Sequence, residues 1–85
     1  MANYSVYLRE DVHKDLRRIP QADVARIMQR IEALGNDPRP VGAEKLSTRE
    51  RWRVRQGDYR IIYEIQDRVL AVWVVKVGHR RDVYR

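Results

Sequence analysis

The chain has no cysteine, no long hydrophobic run and only three lysines. Without cysteine there is no disulfide and no thiolate metal site, so a secreted cystine framework is excluded. The longest apolar run, residues 69–75, falls far short of the ~20 residues that cross a bilayer. Residues 1–7 carry no basic leader followed by an apolar stretch, so no export signal is expected. Internal repeats and low-complexity tracts are also missing. These absences point to a cytoplasmic protein with no membrane partner. At 85 residues a single domain, 1–85, is expected. A chain this short buries only ~60–65% of its unfolded surface, so its core is small.

What is present in excess is arginine. Lys plus Arg is 18 and Asp plus Glu 12, a formal net charge of +6, and 18 less three lysines leaves 15 arginines. Arginine carries a rigid planar fork that matches phosphate, whereas lysine is a point charge. The excess is uneven. Residues 1–42 hold seven cations and six acids, a net +1; residues 43–85 hold eleven cations and six acids, a net +5. A basic C-terminal half suggests a polyanionic partner, most simply nucleic acid.

Hydrophobic spacing sets the elements. Residues 3–8 alternate, with Tyr4, Val6 and Leu8 on one side of a short strand. Val12, Leu16 and Ile19 then recur four and three apart, which predicts a helix over about 10–19. Pro20 interrupts it and suits the first turn of a second helix. That helix carries Val24, Ile27, Met28, Ile31 and Leu34, with Gly35 as its stop. Residues 36–50 read as a loop that Lys45 and Leu46 anchor. From Arg51 onward the period is two. Gly57-Asp58 is a two-residue hairpin turn of type II′, residues 59–65 are a strand, 66–68 a second turn, and 69–77 a mostly apolar central strand. The expected fold is α+β, in the order β-α-α-β-β-β. A two-helix hairpin covers one face of a small, mainly antiparallel sheet.

Strand parity then predicts the faces. The two-residue turn sets Arg55 opposite Arg60 and Arg53 opposite Ile62; a three-residue turn sets Glu64 opposite Leu70 and Arg60 opposite Val74. Tyr59, Ile61, Tyr63, Ile65, Val69, Ala71, Trp73, Val75 and Val77, with Trp52 and Val54, are expected under the helices. The other face is expected to carry Arg51, Arg53, Arg55, Arg60, Lys76 and Arg80, beside Ile62, Leu70, Val72 and Val74. Like charges set opposite one another destabilise a sheet. Such a cluster is therefore a candidate phosphate site; the alternative is that Glu64, Glu50 and Asp58 neutralise it as surface ion pairs.

The chemistry open to this face is limited. His13 and His79 lie on separate elements and the carboxylates show no ligand spacing, so neither a metal nor a cofactor is expected. There is no Gly-rich phosphate loop and no Ser or Cys nucleophile motif. RNA cleavage by the substrate's own 2′-hydroxyl remains. It needs orientation, charge stabilisation on the phosphorane and two proton transfers. Arginines can stabilise the charge. With a pKa above ~12 they cannot readily give up a proton. Tyr84, His79 and a desolvated Lys76 are the candidates for that work.

The stretches Trp52-Arg53-Val54-Arg55-Gln56-Gly57-Asp58-Tyr59-Arg60-Ile61-Ile62-Tyr63-Glu64-Ile65 and Val77-Gly78-His79-Arg80-Arg81-Asp82-Val83-Tyr84-Arg85 resemble the RelE branch of the RelE/ParE toxin superfamily. Lys45-Leu46 and the early Asp15-Leu16-Arg17-Arg18-Ile19-Pro20 fit the same pattern. The resemblance implies a RelE-like fold and a toxin of a type II toxin–antitoxin pair. It also implies a metal-independent endoribonuclease that enters the 30S A site and cuts mRNA there, blocking translation. By motif position the family's functional residues fall on Arg53, Arg55, Arg60, Arg80 and Tyr84. His79 is then a candidate acid or base, and Arg51, Lys45, Lys76 and Arg81 are expected to bind RNA. Arg53 and Arg55 stand where members often carry Lys, which favours electrostatic binding there. A cognate antitoxin encoded by an adjacent gene, the ribosome and mRNA are the implied partners. The alternative is a ParE-like toxin that poisons DNA gyrase without nuclease activity.

Overall fold

The computed structural model describes residues 3–46 and 50–83. Its elements are β1 (Ser5–Leu8), α1 (Glu10–Arg17), α2 (Gln21–Asn36), β2 (Glu44–Lys45), β3 (Arg51–Gln56), β4 (Tyr59–Gln66) and β5 (Ala71–His79). The five strands form one sheet in the order β1-β5-β4-β3-β2. β1 runs parallel to β5 and every other pair is antiparallel. Among the described residues no helix is long and apolar enough to cross a membrane.

Each helix forms for local reasons and stays for tertiary ones. α1 opens with Glu10 and Asp11 and closes with Lys14 and Arg17, so its charges suit the helix dipole. Pro20 caps α2: its carbonyl accepts the N–H groups of Asp23 and Val24 at 2.9 and 3.0 Å. The apolar stripes of both helices then meet the sheet. Val12, Ile27, Ile31 and Leu34 are fully or almost fully buried against Val54, Ile61, Tyr63, Val72, Val74 and Val77. Burying one such side chain contributes about 1.5–3 kcal/mol.

Three features depart from the sequence-based expectation. Gly35 does not stop α2; the helix runs through it to Asn36. A Cβ at that position would lie 2.9 Å from the Tyr4 carbonyl and 3.2 Å from Val6 Cγ2. The residue is therefore glycine because β1 crosses it, and the Tyr4 N–H donates to the Gly35 carbonyl at 2.8 Å. Residues 36–50 are not all loop, since Glu44 and Lys45 pair with Arg53 and Trp52 as a fifth strand. Two residues are too few for periodicity to reveal.

The third departure re-registers the sheet. The β3–β4 hairpin is as predicted, with Gly57 at φ 59°, Arg55 opposite Arg60 and Arg53 opposite Ile62. The β4–β5 connection is longer. Residues 67–69 make a 3-10 turn closed by Leu70 at φ 51°, and pairing begins at Gln66 with Ala71. Glu64 therefore faces Trp73 rather than Leu70, and Arg60 faces Gly78 rather than Val74. A β-bulge intervenes, because Tyr63 pairs with Val74 and Ile62 with Lys76, leaving Val75 as the extra residue. In β5 ahead of the bulge the expected faces are reversed, while Trp52, Val54, Tyr63 and Ile65 of β3 and β4 keep theirs. Val72 and Val74 lie under the helices, while Trp73 and Val75 join Ile62 on the open side. Beyond it Val77 is under the helices, as expected. Val69 and Leu70 belong to the turn and are exposed.

One polar cluster fastens the end of the sheet where β1 begins. Asp67 accepts the Tyr4 hydroxyl at 2.6 Å and a two-pronged Arg39 guanidinium at 3.2 and 2.9 Å. Arg39 also lies 5.3 Å above the Trp52 ring. The Tyr63 hydroxyl donates to the Pro38 carbonyl at 2.6 Å, so the segment after α2 is bound to two strands. Burial holds the Tyr63 phenol up at about 12.

These contacts have measurable consequences. Gly35→Ala, which would strengthen an isolated helix, should instead destabilise this protein by about 1–3 kcal/mol in urea denaturation, because overpacking costs that much. Arg39 first and Tyr4 second hold the Asp67 carboxyl down from 3.8 to about 2. A carboxylate with a depressed folded-state pKa stabilises above its unfolded pKa. The stability gap between wild type and Asp67→Asn should thus be full at neutral pH. It should close as pH falls from 3.8 towards about 2.

Candidate functional site

The register lays the open face out in rows across the strands. Tyr7, Trp73, Glu64 and Arg51 make one row; Lys76, Ile62, Arg53 and Glu44 the next; Gly78, Arg60 and Arg55 the last. After β5 the chain turns back. The Asp82 and Val83 N–H groups both donate to the His79 carbonyl, at 2.8 and 3.0 Å. Val83 packs on Ile62 and Val75, and its side chain comes within contact distance of a Cβ built on Gly78. The Arg80 N–H donates to the Asp58 carbonyl at 2.8 Å, which ties this turn to the β3–β4 hairpin.

That tie gathers three cations. Arg55, Arg60 and Arg80, with Gly57, Asp58 and Tyr59, line a small cleft of about 60 Å³. Among the described residues none of these three guanidiniums has an ion-pair partner within 4.0 Å. Arg60 is the most constrained: its Nε and Nη1 are buried and meet no acceptor among the described residues. Leaving buried charged donors unsatisfied costs about 1–3 kcal/mol or more. An incoming phosphate oxygen would satisfy them through charge-assisted hydrogen bonds.

The other predicted cations are held differently. Arg53 pairs with Glu44 across β2 and β3, and Arg51 Nε donates to Glu64 at 2.9 Å. Lys45 lies 3.4 Å from Glu50. Lys76 lies in the open-face row with Ile62, as expected, but its ammonium reaches to Asp15 of α1, at 3.5 Å. Asp15 also accepts the Val77 N–H at 3.1 Å, covering an edge of β5 that β1 leaves open. His79 packs edge-on against Tyr59, ring centroids 5.9 Å apart, and its Nδ1 accepts the Arg81 N–H at 3.2 Å. It lines a separate cleft of about 220 Å³ with Asp15, Arg18 and Lys76. His79 and Lys76 are thus set apart from the arginine trio. Arg81 is exposed on the turn, and Tyr84 lies outside the described residues. Among the described residues no three His, Asp or Glu side chains come together as metal ligands.

The family model described as the ParE toxin of the type II parDE toxin–antitoxin system matches residues 6–84. The toxin RelG of Mycobacterium tuberculosis is 31% identical over 87 residues, spanning 96% of this chain and 97% of that one. The chain belongs to the RelE/ParE toxin superfamily. Two solved structures extend the likeness to the fold. The RelBE2 toxin–antitoxin complex of M. tuberculosis superposes with a TM-score of 0.84 at 26% identity, covering 96% of this chain and 97% of that one. The archaeal RelE–RelB complex of Pyrococcus horikoshii gives 0.83 at 26% identity, covering 95% and 99%.

Within this family fold the cleft also depends on a backbone group that composition and periodicity did not single out. The Asp58 carbonyl accepts the Arg80 N–H and positions it beside Arg55 and Arg60. No residue-type signal marks a backbone carbonyl as a positioning group. The strain on Arg60 can be measured. Arg60→Met removes the unsatisfied donors and the repulsion from Arg55. It should raise the melting temperature by about 4–8 °C for each kcal/mol gained in a domain this size.

Proposed function

We propose that this toxin is a metal-independent, ribosome-dependent endoribonuclease that cleaves mRNA in the 30S A site and so stops translation. The observation that carries the reading is the convergence of Arg55, Arg60 and Arg80 on one cleft without carboxylate partners among the described residues. A cluster built for folding would be neutralised, as Arg51 and Arg53 are. In the proposed reaction the 2′-oxygen attacks the adjacent phosphorus and the bond to the 5′-oxygen breaks. The products are a 2′,3′-cyclic phosphate and a 5′-hydroxyl. Arg60 and Arg80 hold the equatorial oxygens as negative charge grows on the phosphorane, with Arg53 and Arg55 flanking them. One proton leaves the 2′-hydroxyl and one reaches the 5′-oxygen. Tyr84 is assigned to this proton traffic because guanidinium groups cannot supply it. No metal is required, since the substrate provides the nucleophile and the arginines the charge. Arg51, Lys45 and Arg81 are assigned to the RNA backbone. The partners are the ribosome, mRNA and a cognate antitoxin encoded beside the toxin. The RelBE2 and archaeal RelE–RelB relatives, solved as complexes with their antitoxins, support the last.

A second reading is a ParE-like poison of DNA gyrase, which the matching family description favours. One experiment separates the two. A defined mRNA is incubated with purified toxin and a chelator, with and without ribosomes. Cuts in register with the A-site codon, seen only with ribosomes and reduced about 10²–10³-fold by Arg60→Ala, are expected for loss of a charge-stabilising donor. A folded toxin that makes no cuts yet arrests growth would overturn the nuclease in favour of gyrase.

A further inference from the structure

A second feature of the open face lies away from the arginine cleft. Tyr7 of β1 and Trp73 of β5 stand directly opposite one another in register and stack, ring centroids 4.8 Å apart at 23°. Both are turned from the helices. Tyr4, Val6 and Leu8 take the core side of β1, and Trp73 packs with Ile62, Val75 and Val83. Tyr7 is nevertheless 46% exposed. Two aromatic rings stacked on each other on the open face, one of them half in water, contribute less to folding than they would under the helices. Beside them is a groove of about 250 Å³ lined by Arg9, Glu64, Gln66 and Trp73. It is smaller than the ~300–1,000 Å³ of drug-sized sites and suits a single planar group. Each lining residue offers a contact that a nucleotide uses. Trp73 gives a π-face, the Gln66 amide can both donate and accept, and Arg9 has no ion-pair partner among the described residues. Glu64 is held by Arg51 at 2.9 Å and leaves carboxylate lone pairs for an amino group.

We infer that the Tyr7–Trp73 stack, with Arg9 and Gln66, is a nucleotide subsite that stacks one base of the same RNA strand whose phosphate enters the arginine cleft. The alignment supports a single strand. Glu64 and Arg60 are four residues apart on β4, about 14 Å along the sheet, and both rows open to the same side. A basic track interrupted by an aromatic platform is how proteins hold single-stranded RNA, the platform fixing where the backbone lies. The inference rests on the RNA reading proposed above, and it adds the residues that position the message relative to the cut.

The test uses Trp52→Phe protein, in which Trp73 is the only remaining tryptophan. Single-stranded oligoribonucleotides should quench Trp73 emission, and inorganic polyphosphate should not. Tyr7→Ala should weaken RNA binding roughly tenfold, within the five- to hundredfold range of one lost base stack, and Tyr7→Phe should restore it. An abasic residue at one position of the RNA should weaken wild type to the same degree and leave Tyr7→Ala unaffected. Tyr7→Ala that binds like wild type while Arg60→Ala does not overturns the subsite and leaves the nuclease standing. Quenching by polyphosphate, or by an acidic peptide but not RNA, also overturns it. RNA that quenches Trp73 through Tyr7 while programmed ribosomes show no cleavage keeps the subsite and removes the nuclease reading.

Discussion

The extra residue in β5 is the constraint on which the rest of the sheet depends. Without the bulge at Val75, side chains of β5 would alternate strictly, and Val72, Val74 and Val77 could not all face the helices. With it, one strand supplies the main core on both sides of the irregularity. Trp73 and Val75 alternate to the open face, where Val83 packs with Val75 and Ile62. The same shift brings Gly78 opposite Arg60. That pairing sets where the chain turns after β5, so that Arg80 arrives beside Arg55 and Arg60. Core packing and site assembly are therefore consequences of a single unpaired residue, in keeping with the re-aiming role of bulges near functional sites.

The open face is divided into charges that are neutralised and charges that are not. Arg51 and Arg53 sit toward the β2 side with Glu64 and Glu44. Exposed pairs of this kind contribute about 0–1 kcal/mol each, so they matter more as alignment than as stability. Arg55, Arg60 and Arg80 lack such partners among the described residues. The fold tolerates this because other contacts hold it. The Arg39–Asp67–Tyr4 cluster, the Tyr63–Pro38 bond and the Gly35 crossing secure the connections at the far side of the domain. Unfavourable electrostatics concentrate where a polyanion would relieve them, which is the usual relation between stability and a binding site.

On the nuclease reading, the separation of His79 and Lys76 from the arginine trio limits which groups could move protons. Both were reasonable candidates by residue type, since each can titrate or be made to. In the folded chain they serve other ends. Lys76 and Asp15 cover the free edge of β5, and His79 braces the turn through Arg81. The cleft that remains is built from groups that bind and stabilise charge. On the nuclease reading, that leaves the proton work to a residue beyond Val83.

Much of this was readable in the residue order. Three- and four-residue spacing marked both helices, and two-residue alternation with Gly57-Asp58 marked the β3–β4 hairpin, including Arg55 opposite Arg60. The motif from Trp52 to Tyr84 identified the superfamily. These are local properties, set by backbone periodicity and turn chemistry within a few residues. The two-residue β2, the true role of Gly35, the length of the 67–70 turn and the bulge at Val75 were not readable. Each depends on what a distant segment does: β1 crossing α2, β3 recruiting Glu44, β4 and β5 settling their register around a shared core. The sequence by itself determined which residues could form an arginine-rich face. Only the tertiary structure decided which arginines remain unpaired and which aromatics share their side, because a one-residue slip in pairing exchanges every side chain between the two faces.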